Sequence, residues 1–221
     1  MAYKGFIFDF DGLILDTEKP GFFAWKVIFD RYNQPFALED WKKAIGTGPS
    51  AFDPASHLCA LVQESLEPSR LHEEQLSIAN NLIRTYPILP GVLEFMTEVK
   101  AASRKLAIAS SSPRSWVIGH LSRLELIPYF DDILTAEDVR QVKPAPDLYL
   151  LALSRLGLTP AEGVVFEDSP NGILAANAAG ITCFAVPNEI TATMDISHAD
   201  FIVNSFTEIS LSRLDNSFFM D

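Results

Sequence analysis

Three short apolar runs that break off in polar residues constrain this chain more than any other feature. "GFIFD" (5–9), "KLAIASSS" (105–112) and "GVVFEDS" (163–169) are rich in branched and aromatic side chains and show no polar alternation. Such runs suit strands covered on both faces, the pattern of a parallel sheet with helices packed on each side. "DDILTA" (131–136), "ITCFAV" (181–186) and "DFIVNS" (200–205) read as further strands. Helical stretches lie between them. One over 114–124 follows Pro113, "DLYLLALSRLG" follows Pro146 and stops at Gly157, and "NGILAANAAG" follows Pro170 and stops at Gly180. From about residue 88 onward strands alternate with helices, which predicts a parallel α/β sheet.

Residues 19–86 break that alternation. "GFFAWKVIFDRYN", "LEDWKKAIG", "FDPASHLCALVQESL" and "SRLHEEQLSIANNLIRTY" carry helical periodicity and no strand signal. The predicted fold is therefore α/β: a Rossmann-like parallel sheet core with helices on both faces, built from 1–16 and 88–221, with an α-helical cap domain inserted over 17–87. Pro87 and the Pro90–Gly91 pair suit the returning hinge. Phe22, Phe23, Trp25 and Phe29 read as the packing face of the first cap helix. A chain of 221 residues is long enough for a core domain with a smaller inserted one.

A net charge of −12 repels phosphate backbones and anionic lipid surfaces, so neither nucleic acid nor membrane is an expected partner. No apolar stretch approaches the roughly 20 residues that cross a bilayer, and the few apolar residues between Lys4 and Asp9 do not make a signal peptide. Cys59 and Cys183 stand far apart without metal-ligand spacing and read as thiols in a reducing compartment. A cytoplasmic monomer is expected.

In an open parallel sheet, ligands bind beyond the carboxyl ends of the strands. If the three apolar runs are parallel, Asp9 with Asp11, Ser110 with Ser111 and Ser112, and Glu167 with Asp168 meet at one cleft. Clustered carboxylates need a cation, and oxygen ligands with open positions suit Mg2+. His57, His72, His120 and His198 are scattered and read as structural or exposed. One N-terminal aspartate, ionised at neutral pH, can attack phosphorus, while the other gives a proton to the leaving oxygen and later takes one from water. Their spacing puts both side chains on one side if the strand continues, and a turn at Gly12 would bring main-chain amides to an anion. Lys143, extended by the following Pro144 and close to a helix start, supplies the fixed positive charge.

These residues resemble the haloacid dehalogenase superfamily of aspartate-nucleophile phosphotransferases. "DFDGLILDTE", "AIASSS", "KPAPDLY" and "FEDSPNGILAANAAG" match its four motifs in order and span nearly the whole chain. The helical insert is similar to the cap of the branch containing β-phosphoglucomutase and phosphoglycolate phosphatase. The resemblance implies Asp9 as nucleophile forming an aspartyl-phosphate, and Asp11 as general acid/base that also offers Mg2+ its main-chain carbonyl. It implies Ser110 on the transferring phosphoryl group, with the main chain of Gly12, Ser111 and Ser112 as substrate contacts, and Lys143 bridging that group and Asp9. Asp168 would be the acidic metal ligand, with Glu167 a ligand or its partner.

One departure bears on activity. Mutases of this branch carry a histidine shortly after the first motif and a basic residue in a cap loop; here those places hold Gly21 and "IGTGPSAFD", without a cation. The expectation is an Mg2+-dependent phosphatase acting on a small phosphorylated metabolite. A β-phosphoglucomutase-type transferase is the alternative, and a non-catalytic binding protein is the alternative of another class. Substrate choice is expected from cap residues between Thr47 and Phe52.

Overall fold

Short runs that are apolar throughout need cover on both faces, and the architecture follows from that requirement. The computed structural model describes residues 2–46, 52–62 and 65–216. Six strands form one sheet: β1 (Gly5–Phe8), β2 (Lys105–Ala109), β3 (Asp132–Leu134), β4 (Gly163–Glu167), β5 (Thr182–Ala185) and β6 (Phe201–Ile202). All neighbours run parallel, in the order β3-β2-β1-β4-β5-β6. The chain winds outward from β1 to β3, then returns beside β1 and winds the other way, so the strand order reverses between β1 and β4. A crevice at the carboxyl ends of such strands is where α/β sheets bind ligands. The register sets Phe8 level with Ile108 and Phe166, so residues 9, 109 and 167 share one edge.

Helices α1 (Glu18–Arg31), α2 (Leu38–Lys42), α3 (Pro54–Leu61) and α4 (Pro68–Ile83) follow β1. The core helices are α5 (Val92–Ala101), α6 (Arg114–Arg123), α7 (Asp147–Leu156), α8 (Pro170–Ala178) and α9 (Leu211–Asp215). Side chains alternate along each strand and so supply two cores. Phe6, Phe8, Leu106, Ile108, Val164 and Phe166 face α5, α6 and α9, whereas Ile7, Ala107, Ala109 and Val165 face α7 and α8. Phe166 is the hub of the first core. Its ring centroid lies 5.1 Å from Phe8, 5.3 Å from Phe95 and 4.9 Å from Phe206. The second core sets small residues against small, Ala107, Ala109 and Ala185 against Ala152, Ala175 and Ala176, which lets helix and sheet approach closely.

The helices after β1 hold a third cluster of their own, with Trp25, Ile28, Phe29, Phe36, Leu58 and Leu71. Ala24, Ala79 and Ile83 join the main core instead and tie this layer to the sheet. Phe23 departs from expectation: it is 52% exposed. The buried stripe on α1 runs through Gly21, Ala24, Trp25 and Ile28, and at 3.6 residues per turn position 23 falls on the opposite face. Among the described residues no helix is long and apolar enough to cross a membrane.

Gly91, at the start of α5, has φ +84°, and a Cβ there would fall on the Thr207 amide nitrogen and the Phe206 carbonyl carbon. Gly119, within α6, has open space around its Cα. Gly91→Ala is expected to lower unfolding free energy by at least about 1–2 kcal/mol from the left-handed backbone alone. Gly119→Ala should raise it by about 0.5–1 kcal/mol. Urea titrations of the two variants check both signs.

Candidate active site

The chain leaves three strands at the same edge and is held there by continued ladder bonds. The Asp9 amide donates to the Phe166 carbonyl (3.0 Å) and the Ser110 amide to the Leu134 carbonyl (3.0 Å). β1 ends at Phe8, and the chain then turns at Gly12, whose φ is +75°. Asp9 and Asp11 therefore point at different partners rather than lying side by side as a continued strand would place them.

Lys143 lies between Asp9 and Glu167. Its Nζ donates to Asp9 Oδ1 at 2.5 Å and to Glu167 Oε1 at 2.6 Å, and the residue is only 2% exposed. It also stands over the Tyr149 ring, 5.0 Å from the centroid. Glu167 is fully engaged: Oε1 also accepts from the Tyr149 hydroxyl (2.6 Å). Its Oε2 accepts from the Asp168 amide (3.0 Å), the Ser169 amide (3.1 Å) and the Ser169 hydroxyl (3.1 Å). Asp168 Oδ2 accepts from Asn188 Nδ2 at 2.8 Å, and the same amide reaches the Gly12 carbonyl at 3.2 Å. Any side chain at Gly12 would collide with Asp168 and Asn188, so glycine is required there for close approach as well as for its backbone angle.

Asp9, Glu167 and Asp168 each present an oxygen within 4.8 Å of the others. Burial pushes the Asp9 carboxyl up to about 8; Lys143 opposes this, and Glu167 and Asp11 add to it. Burial, then Glu167 and Asp9, lift Asp168 well above the usual carboxylate range. Burial by itself would lower Lys143, but the two carboxylates hold its ammonium above its ordinary value. Three buried carboxylates thus share one ammonium, and the oxygen set is hard and anionic. Such a site fits a divalent cation of the Mg2+ type.

Asp11 stands at the next position along the cleft. Its Oδ1 accepts from the Trp116 indole (2.8 Å), and its Oδ2 from the Ser112 hydroxyl (2.6 Å) and, at 3.4 Å, the Ser110 hydroxyl. Ser110 is 1% exposed, and its oxygen accepts from the Ser112 amide at 3.0 Å. The cleft has a volume of about 670 Å3 and is lined on the sheet side by Asp9, Asp11, Ser110, Ser111, Ser112, Lys143 and Asp168. Glu18 from α1, Trp41 from α2, and Gln75 and Arg84 from α4 and its end form the facing wall. Neither Gly12 nor Glu167 is among the lining residues. Thr47 lies outside the described residues.

Trp116, His120, Tyr149, Asn188 and Trp41 belong to this site and were not expected from the sequence. His120, read there as structural or exposed, is buried with its Nε2 lacking a partner, and it lines the cleft. Burial lowers its affinity for a proton, against the pull of Asp11. The Trp41 ring covers Gly21, where a Cβ would come within 2.7 Å of Trp41 Cζ2. The position that corresponds to the mutase histidine is thus covered by a side chain from another element.

A parallel sheet with an acid-and-lysine cluster at the reversal of its strand order is the arrangement of a Rossmann-like enzyme that works at its switch point. Residues 6–186 match the haloacid dehalogenase-like hydrolase family, and the chain belongs to it. The Bacillus subtilis (strain 168) protein YhcW is 39% identical over 211 residues, which cover 96% of each chain. A Thermotoga maritima protein named phosphorylated carbohydrates phosphatase is 36% identical, covering 79% of this chain and 81% of its own. Among solved structures, CbbY from Rhodobacter sphaeroides in complex with phosphate superposes with a TM-score of 0.78 at 26% identity, covering 96% of this chain and 99% of its own.

Two stability measurements probe the cluster. Lys143→Ala leaves two buried carboxylates without their cation and should cost about 3–5 kcal/mol of unfolding free energy without added metal. Burial, with Asp11, Asp9 and Asp16, pushes Glu18 from its ordinary 4.5 up to about 8. The folded chain therefore keeps a proton there that the unfolded chain has lost, and stability falls as pH rises across that window. Glu18→Gln removes the effect. Wild-type stability relative to that variant should drop by on the order of 4 kcal/mol between pH 4 and pH 9, read by denaturant titration at each pH.

Proposed function

We propose that this protein is a phosphatase that hydrolyses a small phosphate monoester, a sugar phosphate or similar metabolite, through an aspartyl-phosphate on Asp9. The observation that carries this reading is the shared buried Lys143, which holds Asp9 at the sheet edge beside Asp168, in the cleft that Ser110 also lines. Asp9 and Asp168, with the Asp11 carbonyl, would hold Mg2+, which when bound supplies positive charge for the phosphoryl oxygens and the carboxylates. The relationship to a carbohydrate-phosphate phosphatase supports the substrate class.

The Asp9 carboxylate oxygen attacks phosphorus and the ester P–O bond breaks. Asp11 gives the departing oxygen a proton, then takes one from the water that attacks phosphorus and frees Asp9. Ser110 and Lys143 bind the phosphoryl oxygens. The Ser112 amide already serves Ser110, so the neighbouring main-chain donor is that of Ser111. Glu167, with both oxygens engaged by donors, acts by positioning Lys143 and not as a direct ligand. Residues 17–87 form a cap over a core of 1–16 and 88–221 and exclude water while the group transfers. Gly21 under Trp41 favours hydrolysis over transfer to a second sugar hydroxyl.

Phosphate release from an aryl phosphate and a panel of sugar phosphates should require Mg2+ and vanish with chelator. Asp9→Asn is expected to lose at least about 10³-fold in kcat, and Asp11→Asn about 10²–10⁴-fold. Asp168→Asn should raise the Mg2+ concentration needed for half-maximal rate. Undiminished turnover by Asp9→Asn would overturn the mechanism, and faster isomerisation than hydrolysis of β-glucose 1-phosphate would overturn the preference for phosphatase.

A further inference from the structure

Among the described residues, five side chains carry a buried polar atom without a hydrogen-bond partner: Thr17 Oγ1, Glu18 Oε2, Trp41 Nε1, Ser111 Oγ and His120 Nε2. All five residues line the one cleft that holds Asp9. Buried polar groups are otherwise nearly always paired, because leaving one unmade forfeits its bond to water. Five such atoms around a single cavity, and none elsewhere among the described residues, indicate that a ligand completes them. Ser111 adjoins Ser110 at the phosphoryl end. The other four line the rest of the same cleft, with Glu18 on the side of Asp9 and Asp11.

Their arrangement specifies the ligand's chemistry. Glu18 on α1 and His120 on α6 line the same cleft from different elements, and both lie within range of the Asp11 charge. Trp41 lies over Gly21, one turn along α1 from Glu18; its indole N–H, a donor that cannot accept, faces the Glu18 carboxyl and weakly favours its ionised form, short of a full hydrogen bond. Thr17 precedes Glu18 and both donates and accepts. Glu18 is 7%, Thr17 5% and His120 6% exposed. A partner for this set must offer donors and acceptors in close succession, which is what adjacent hydroxyl groups do. It is uncharged where it meets Glu18, because Asp9 and Asp11 stand close to that carboxyl and repel an anion at that point. The cleft's arginines, Arg84 and Arg123, are exposed, and Arg123 is directed to the carbonyls of Arg84 and Tyr86.

We propose that Thr17, Glu18, Trp41 and His120 form a hydroxyl-binding subsite for the leaving group, so that the substrate is the phosphate ester of a neutral polyol and not of a hydroxy acid. This rests on the Asp9–Lys143 end being the phosphoryl site. It places substrate selection on the start of α1, on α2 and on core helix α6.

The test uses the full chain carrying Asp9→Asn, so that ligands bind without turnover, in Mg2+, by calorimetry. Glucitol 6-phosphate should bind at least about 10-fold more tightly than phosphoglycolate, the difference expected of one or more buried hydrogen bonds. Adding Glu18→Met should weaken glucitol 6-phosphate about 10–100-fold, and adding Trp41→Phe about 5-fold or more. Inorganic phosphate, too small to reach the subsite, should keep its affinity within about 3-fold in both. Equal binding of phosphoglycolate, or equal losses for inorganic phosphate and the polyol ester, overturns the proposal. Glu18-dependent binding of the polyol ester with no binding of inorganic phosphate strikes the phosphoryl assignment instead and leaves the hydroxyl subsite standing.

Discussion

The pairing of Lys143 with Asp9 and Glu167 is the interaction on which the rest of the site depends. A fully buried ammonium is tolerable only when it meets opposite charge at close range, and here it meets two carboxylates at 2.5 and 2.6 Å. Glu167 is in turn fixed by Tyr149 from α7 and by the amides that open α8. Three elements thus agree on the position of one nitrogen atom, and Asp9 is held by that nitrogen. Because the ammonium answers only part of the buried negative charge, the site remains a place for a cation. Excess negative charge is costly as structure and useful as a metal site.

That clamp is possible because of the sheet's topology. Parallel strands end at a common edge, and the reversal of winding beside β1 opens a crevice there. The Phe166 ring cluster on one face and the alanine-rich packing on the other keep β1 and β4 in register. A slip of one residue would exchange the two faces and carry Asp9 away from Lys143. The helices after β1 contribute little to that rigidity. They bury a separate cluster and touch the core through few side chains, an arrangement suited to a layer that shapes the cleft from above.

Much of this was legible in the sequence. Asp9, Ser110 and Asp168 were found because each follows an apolar run, and parallel strands bring such positions together whatever the intervening chain does. Lys143 was found as the cation the carboxylates lacked, although its complete burial was not expected. Asp11 and Glu167 illustrate the limit. Both sit next to site residues, yet Asp11 turns to Trp116 and Ser112, and Glu167 turns inward to Lys143 and Tyr149. Adjacency in sequence places the backbone; the partner of the side chain comes from elsewhere in the fold.

By itself, then, the sequence determined the class of fold, the sheet edge that holds the candidate site, and the acids, serine and lysine gathered there. Those follow from local pattern, strand length and the rule that parallel strands share an edge. Only the tertiary structure decided that Trp116 holds Asp11, that Trp41 covers Gly21, and that His120 and Glu18 face one cavity with unpaired atoms. Each of these is a contact between elements far apart in the chain, and no periodicity or spacing encodes which side chain meets which. Such contacts also shape the space a leaving group must fill, so the substrate is written in packing and not in motif.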